Sequence, residues 1–382
     1  MQNKICVYAI CKNEIQFVDR WIASMSEADY IVVLDTGSTD GTFEKLKDDS
    51  RIFRVEQKII SPWRFDVARN VSMTLIPDDA NILVCTDFDE VLNLGWADIL
   101  RNKWKEDTTR GYYRYAWSHN EAGEPADIFK YDKIHSRDYE WVFPVHEVLF
   151  PKDRNNFHEV KIDFKDQIFL HHYPDQTKSR SAYYDLLKIS VQENPNDSHV
   201  RMLYARECMS RKEYDNALKE YLATLQMPDV DAPNKRLVLL ECLGRCADIY
   251  AIQQNYDEAI WYCQEFIKED PTYREPYFIM AELYNNMHMY TLAEACIGAA
   301  LKYSTRKYTW VERKDSWLGL SNNLLSISQI GLRQYDQAIQ NCSEALKHDP
   351  NSPELLKRMN MLLNIKLQEI DKKEVAEAHD KE

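Results

Sequence analysis

Nowhere in the 382 residues does an apolar run reach the roughly 18 residues that a membrane-spanning helix requires, so no membrane span is expected. No Cys-x-x-Cys pair occurs among the nine cysteines, itself an odd number. Cys6, Cys11 and Cys85 lie in or beside apolar runs and the other six in helical patterns. That distribution favours buried, reduced thiols over disulfides or structural zinc. Positive charge is also in short supply: 48 Lys and Arg face 62 Asp and Glu, a net charge of −14. Such a chain has nothing with which to neutralise a run of phosphates, which argues against nucleic acid as a partner. A nucleotide pocket is not excluded, since it needs only local positive charge or a metal. Met1-Gln2-Asn3-Lys4 leads straight into an apolar strand, without the apolar run and small-residue cleavage site of a secretory signal. A cytoplasmic location is therefore expected.

What is present has the balance of a soluble globular protein, 45% hydrophobic and 29% charged, and the length implies two or three domains. The grammar changes near residue 175. Before it, β-rich runs (5–10, 30–34, 82–85, 111–117, 140–150 and 160–170) alternate with helical or loop segments, the pattern of an α/β sheet. After it, almost everything reads as amphipathic helix. The chain is thus expected to divide into an α/β domain at 1–175, a linker helix at 176–195, helical repeats at 196–366 and a charged, disordered tail at 367–382.

The helical half repeats. Glu213-Tyr214-Asp215-Asn216-Ala217-Leu218 matches Asn255-Tyr256-Asp257-Glu258-Ala259-Ile260, with further variants around Ala293 and Ala338. Twelve residues before each of these alanines stands another small residue: Ala205, Ala247, Ala281 and Ser326. Small residues at that separation let two antiparallel helices pack closely. Pro271 and Pro350 each follow their alanine by twelve residues and end the second helix. The spacing between key alanines, 42, 34 and 45 residues, requires insertions, placed near 230–235 and 304–315. These segments resemble a tetratricopeptide array of four units, a family whose period is about 34 residues.

Two strands in the first half run straight into acids. Tyr30–Leu34 is followed by Asp35-Thr36-Gly37-Ser38-Thr39-Asp40-Gly41-Thr42, and Ile82–Cys85 by Thr86-Asp87-Phe88-Asp89-Glu90. Ligands of open α/β sheets bind beyond the carboxyl ends of strands, so Asp35 projects into a crevice, while Asp40 serves equally well as a cap for the following helix. Two carboxylates at i and i+2 past a strand end suit one Mg²⁺ or Mn²⁺ together with diphosphate oxygens.

Together with the Cys11-Lys12-Asn13-Glu14 turn and Phe65-Asp66-Val67-Ala68-Arg69-Asn70, these motifs resemble the family 2 glycosyltransferases of the GT-A fold, a Rossmann-like nucleotide-binding sheet, over roughly residues 4–175. Thr36 stands where many members carry a second aspartate, which leaves the nucleotide open. The resemblance implies metal-dependent, inverting sugar transfer from a nucleotide-diphosphate sugar, a UDP-sugar first among the donors. It implies Glu14 and Asp35 at the nucleoside, Asp66 and Arg69 at ribose and phosphates, and Asp87 and Asp89 at the sugar nucleotide and its Mn²⁺ or Mg²⁺.

Six of the ten histidines lie between His119 and His172. By the same resemblance, the Val145-His146-Glu147 segment is expected at the acceptor and donor site, with a strand-terminal histidine at the metal. Alternation allows only one of His171 and His172 to face the site, and His172 is preferred. A single displacement needs a base for the acceptor proton; Glu147 is the first candidate and Glu90 the second. A helical array fused to such a domain points to a peptide or protein acceptor, as in bacterial enzymes that glycosylate peptides, the S-glycosyltransferases of glycosylated bacteriocins among them, or to a homodimer. Transfer to a cell-envelope polysaccharide or lipid, and an inactive transferase-like scaffold that binds proteins, are the alternatives.

Overall fold

Strict alternation along the first strand builds a sheet with two buried faces. In the computed structural model, which describes residues 3–120, 123–175, 181–230, 235–307, 309 and 311–379, the chain forms two compact units, Met1–Ser190 and Val191–Glu382. In strand β1 (Ile5–Cys11), Ile5, Val7 and Ala9 join one core while Cys6 and Tyr8 join another on the opposite face. Helix α1 (Val18–Met25) covers the first core with Val18, Trp21, Ile22 and Met25, one stripe of a 3.6-residue period. Strand β2 (Tyr30–Asp35), helix α2 (Thr42–Asp48), strand β3 (Arg54–Gln57), helix α3 (Phe65–Met73) and strand β4 (Ile82–Cys85) follow. The parallel order β3-β2-β1-β4 brings Cys11, Asp35 and Cys85 to one edge, with Cys11 beside Asp35 and Tyr8 beside Cys85 in register.

Beyond β4 the sheet is mixed. After β5 (Glu90–Leu92), α4 (Trp96–Lys103) and β6 (Arg110–Ala116), strand β7 (Ile128–His135) pairs antiparallel with both β4 and β6. The β-rich run expected over 140–150 is a hairpin of β8 (Tyr139–Val142) and β9 (Val148–Pro151), and its turn holds His146 and Glu147. The run over 160–170 is likewise two strands, β10 (Lys161–Asp163) and β11 (Phe169–His172), separated by a 3₁₀ turn. Strands β3, β5 and β7 have no counterpart in the sequence reading. Strands β3 and β5 are short and held by their neighbours, and β7 alternates aromatic with charged residues instead of forming an apolar run.

Helix α5 (Tyr183–Glu193) occupies the expected linker, whose first residues, 176–180, lie outside the described ones. Four helix hairpins follow: α6 (Ser198–Ser210) with α7 (Tyr214–Leu225), α8 (Arg236–Ile252) with α9 (Tyr256–Glu269), α10 (Glu275–Asn286) with α11 (Tyr290–Leu301), and α12 (Leu320–Gly331) with α13 (Tyr335–His348). Ala205, Ala217, Ala247, Ala259, Ala281, Ala293, Ser326 and Ala338 are all fully buried at the crossings. The hairpin turns are copies of one another. Lys212, Gln254, His288 and Arg333 each take a left-handed φ between 60° and 63°. The amide after each donates to the carbonyl five residues back, for example Glu213 to Cys208 and Asn255 to Tyr250, a Schellman closure. The long connections sit where the insertions were expected; residues 231–234, 308 and 310 of those segments lie outside the described ones.

Helix α14 (Pro353–His379) corrects the expectation of a disordered tail from 367: the backbone is helical to His379, and only 380–382 fall outside the described residues. Leu, Lys, Glu and Ala dominate this stretch, all good helix formers, and Lys366 pairs with Glu369 one turn on. All nine cysteines are free thiols, eight buried and Cys296 half-buried. No helix among the described residues is long and apolar enough to cross a membrane.

Candidate active site

The acids at the strand ends fall into two groups with different surroundings. The first is a pair of interlocked loops. Asp35 is fully buried, and its Oδ1 accepts from the amides of Gly37 (2.9 Å) and Ser38 (2.8 Å) and from the Gln57 side chain (2.9 Å). Cys11 Sγ donates to its other oxygen at 3.4 Å. Burial pushes the Asp35 carboxyl up, but the hydrogen bonds from Ser38, Gln57 and Gly37 outweigh it and hold the group ionised below its ordinary range. Gly37 reaches its amide position at φ +108°, a conformation that a side chain would strain.

The Asn13-Glu14 turn zips onto this loop. Asn13 donates its amide to Ser38 Oγ (2.8 Å) and accepts from Thr39 N (2.8 Å), and Glu14 N donates to Thr42 Oγ1 (2.9 Å). Asp40 accepts from Thr42 N (3.0 Å), at the start of α2, and from Ile15 N (3.1 Å), so it ties the two loops together, while Gly41 holds the N-cap position of α2. Asp35 and buried Glu14 therefore stand at neighbouring strand ends, with Asp35 committed to shaping its own turn.

The second group surrounds the end of β4. Phe88 is the anchor: it is buried and stacks on Trp21 at 4.2 Å, so Asp87 and Asp89 on either side of it turn away from the core. Arg69 reaches Asp87 from α3, with Nη2 3.0 Å from Oδ1, while its Nε donates to Glu147 and its Nη1 to Cys85 Sγ. Its guanidinium lies 5.1 Å from the Trp141 ring. From β7, Lys133 Nζ lies 2.9 Å from Asp87 Oδ2 and 3.6 Å from Glu90 Oε1. Burial raises the Asp87 carboxyl, and the two cations overwhelm that effect and hold it well below the carboxylate range. Glu90 is 1% exposed; it accepts from Tyr115 Oη at 3.0 Å and from Asp87 N at 2.8 Å. Burial is the main force that pushes its carboxyl up.

Register decides between the two strand-terminal histidines. Strand β11 pairs antiparallel with β5 and sets His172 opposite Glu90. His172 Nε2 then lies 3.3 Å from Asp89 Oδ2, and Nδ1 3.3 Å from the Trp117 carbonyl. Burial lowers the His172 pKa, but the Asp89 carboxylate prevails and raises it. His171 faces the other side, 3.0 Å from His119, where burial and that second imidazole keep it neutral to lower pH.

The structure thus brings Arg69, Asp87, Glu90 and Glu147 into one network and Asp89 and His172 into a pair. It does not assemble Asp87, Asp89 and His172 as three ready ligands. Among the described residues no group of three or more His, Cys, Asp and Glu side chains is arranged to hold a metal ion; at this site Arg69 and Lys133 engage the Asp87 carboxylate. Asp66 is also redirected: Arg64 grips it with two hydrogen bonds of 3.0 and 2.8 Å. His146 is exposed at a left-handed φ of 52°, its ring against Tyr183. A cleft of about 340 Å³ between α3 and β8, lined by Asn70, Met73, Arg137 and Tyr139 among others, includes none of the predicted site residues.

Sequence reasoning missed Lys133 and Tyr115. The signal for Lys133 was available: Phe129, Tyr131 and Lys133 recur at every second position, placing one cation on an aromatic strand face.

No protein-family model and no curated protein matches this chain. Among solved structures, it is similar to TTC0263, a thermophilic tetratricopeptide repeat (TPR) protein of Thermus thermophilus. Identity there is 19%, over 48% of this chain and 89% of that one, with a TM-score of 0.35. MamA from Desulfovibrio magneticus is similar at 16% identity, over 48% and 92% of the two chains, with a TM-score of 0.37. YrrB, a TPR protein, follows at 12% identity, over 47% and 83%, with a TM-score of 0.35.

Proposed function

We propose that the N-terminal unit transfers a sugar from a nucleotide-diphosphate sugar to a peptide or protein side chain, with a divalent cation at the diphosphate. The observation that carries this reading is the Asp89–His172 pair beside an Asp87 held by two cations, at the carboxyl end of an apolar strand. Asp89 and His172 fit Mn²⁺ or Mg²⁺ as two protein ligands, leaving positions for water and diphosphate oxygens. The Trp117 carbonyl supports that fit. It accepts a hydrogen bond from His172 Nδ1, so Nε2, on the Asp89 side, would be the atom that holds the cation. When bound, the cation offsets the negative charge that develops on the departing diphosphate.

The remaining work falls to the chain's own side chains. Arg69 and Lys133 fix the Asp87 carboxylate, a third exposed, where it can accept hydrogen bonds from donor hydroxyls. The acceptor nucleophile attacks the anomeric carbon as the bond to the diphosphate oxygen breaks, and its proton passes to a carboxylate. Glu147 remains the first candidate for that base: Arg69 engages one of its oxygens, whereas Glu90 is sealed in with both oxygens engaged. The helical hairpins supply a surface of the kind that holds extended peptides, which favours a peptide acceptor over a lipid or polysaccharide.

A second reading, a transferase-like scaffold without turnover, draws on one observation: Asp87 is already neutralised by Arg69 and Lys133. A panel of sugar nucleotides with and without Mn²⁺ or Mg²⁺ separates the two. Metal-dependent thermal stabilisation by one nucleotide family, with slow release of nucleoside diphosphate, is the transferase outcome. Indifference to every donor is the scaffold outcome. Asp89→Asn is expected to lower turnover by about a hundredfold or more with the melting temperature unchanged; full activity in that variant removes the metal from the account.

A further inference from the structure

Helix α14 carries two apolar faces where one would suffice. Leu355, Met359 and Leu362 pack with Ala338, Cys342 and Ala345 of α13. Leu356, Leu363, Leu367 and Ile370 do not: they are 45%, 46%, 58% and 49% exposed. With Asn360, also exposed, they recur at alternating intervals of four and three residues, the period of a coiled-coil seam. At 3.6 residues per turn they share a stripe about 80° wide and about 21 Å long. Single apolar residues on a surface are ordinary, but a continuous stripe on an end helix is not, since repeat arrays keep that outer face polar.

We propose that this stripe is the interface of a homodimer, in which two copies of α14 pack antiparallel about a two-fold axis beside Leu363 and Asn364. The charge order along one flank selects both the partner and the direction. Lys357, Asn364 and Asp371 follow one another at seven-residue intervals, all exposed. An antiparallel two-fold sets this flank against its own reverse, so Lys357 of each copy lies level with Asp371 of the other. The arrangement is self-complementary and closed, as a two-fold interface must be. A parallel pairing would set the flank against the opposite one, Met359 and Lys366, where Lys366 is already engaged by Asp336 (2.8 Å) and Glu369 (3.2 Å). Asn360 within the seam lies across from an apolar residue of the other copy and lowers the stability of the pairing. The inference rests on α14 alone and is independent of the chemistry assigned to the sheet unit.

Sedimentation velocity on the full chain, at concentrations up to about 100 µM where a weak specific dimer is populated, is expected to give twice the 45.2 kDa chain mass. Leu363→Glu with Leu367→Glu is expected to yield a monomer of unchanged helical content, because both positions are exposed. Lys357→Asp is expected to weaken the dimer about tenfold by setting like charges together, and adding Asp371→Lys to restore it. A monomeric wild type, a dimer that survives the double leucine change, or a charge swap that fails to recover affinity overturns the proposal.

Discussion

Lys133, Asp87, Arg69 and Glu147 form one chain of ion pairs, although they come from β7, the loop after β4, α3 and the β8–β9 turn. In the repeat unit the meetings are short-range: Ala247 with Ala259, or Ala281 with Ala293, share one cluster across a single hairpin. The first arrangement is made once and depends on every contributor. The second is made four times and depends on any one of them much less. Burial is similar in the two places, yet its consequences differ. A buried charge has partners that no neighbouring residue can replace, whereas a one-dimensional array distributes its stability over repeats and their interfaces.

The largest test of that contrast removes Lys133. Lys133→Met keeps the length of the side chain and deletes its charge, leaving Asp87 with Arg69 alone and Glu90 without its counter-charge. Removing one partner from a buried ion pair costs about 3–5 kcal/mol; with Asp87 a third exposed, about 3 kcal/mol is expected, read as a fall in the urea midpoint of the sheet unit. A fully buried alanine of the array provides the counterpart. Ala259→Leu forces three extra carbons into the α8–α9 crossing and is expected to cost about 1–3 kcal/mol, confined to the repeat unit. A loss from Lys133→Met no greater than that from Ala259→Leu would mean the network adds nothing beyond packing.

The same contrast explains what could be read from the sequence. The repeats are legible because their constraint is local: a small residue twelve positions before each key alanine, a tyrosine at each second-helix start and, in two of the four units, a proline after the last turn. The strand-end acids were legible for a related reason, since Ile82–Cys85 runs unbroken into Asp87. Partners brought by the fold were not. Asp66 and Arg64 stand two residues apart, and nothing in their order says that they grip each other rather than a phosphate. Asp87 and Asp89 read alike in the sequence, but Lys133 reaches Asp87 from a strand that pairs with β4 across about fifty residues of chain. His172 was separable from His171 only as a preference until the β11–β5 register set it opposite Glu90.

His135 sharpens the comparison in a second dimension, because acid should act on the sheet unit through it. The ring is fully buried; its Nε2 lies 2.6 Å from Tyr8 Oη, which in turn accepts from Trp141 Nε1 at 2.8 Å. Its Nδ1 lies 2.7 Å from the Ser136 carbonyl. Burial pushes the imidazole down from 6.5 to about 3, so between those values the unfolded chain binds a proton that the folded chain refuses. Stability from this residue is complete above pH 6.5 and is lost as pH falls towards 3, at up to about 1.4 kcal/mol per pH unit. Between pH 7.5 and 4.5 the native chain is expected to lose about 2–3 kcal/mol more than His135→Gln, measured as the difference between their urea midpoints at each pH. Parallel pH profiles would mean the ring is protonated in place.

The smallest effect comes from the four hairpin turns, where repetition makes it measurable. Lys212, Gln254, His288 and Arg333 all occupy left-handed backbone, which costs an ordinary side chain about 1–2 kcal/mol. Glycine removes that strain but adds freedom to the unfolded chain, worth roughly 0.5–1 kcal/mol in the opposite sense. Lys212→Gly is therefore expected to stabilise the repeat unit by only about 0.5–1 kcal/mol, close to the error of one unfolding curve. If the four turns act independently, changing all of them together should raise stability by about the sum of the single effects. A shortfall would mean that one residue's loss is already compensated by its neighbours, so the repeats act less independently than their sequence periodicity implies. A gain in the sheet unit's midpoint from any of these changes would break the comparison outright, because it would show that the two units unfold as one.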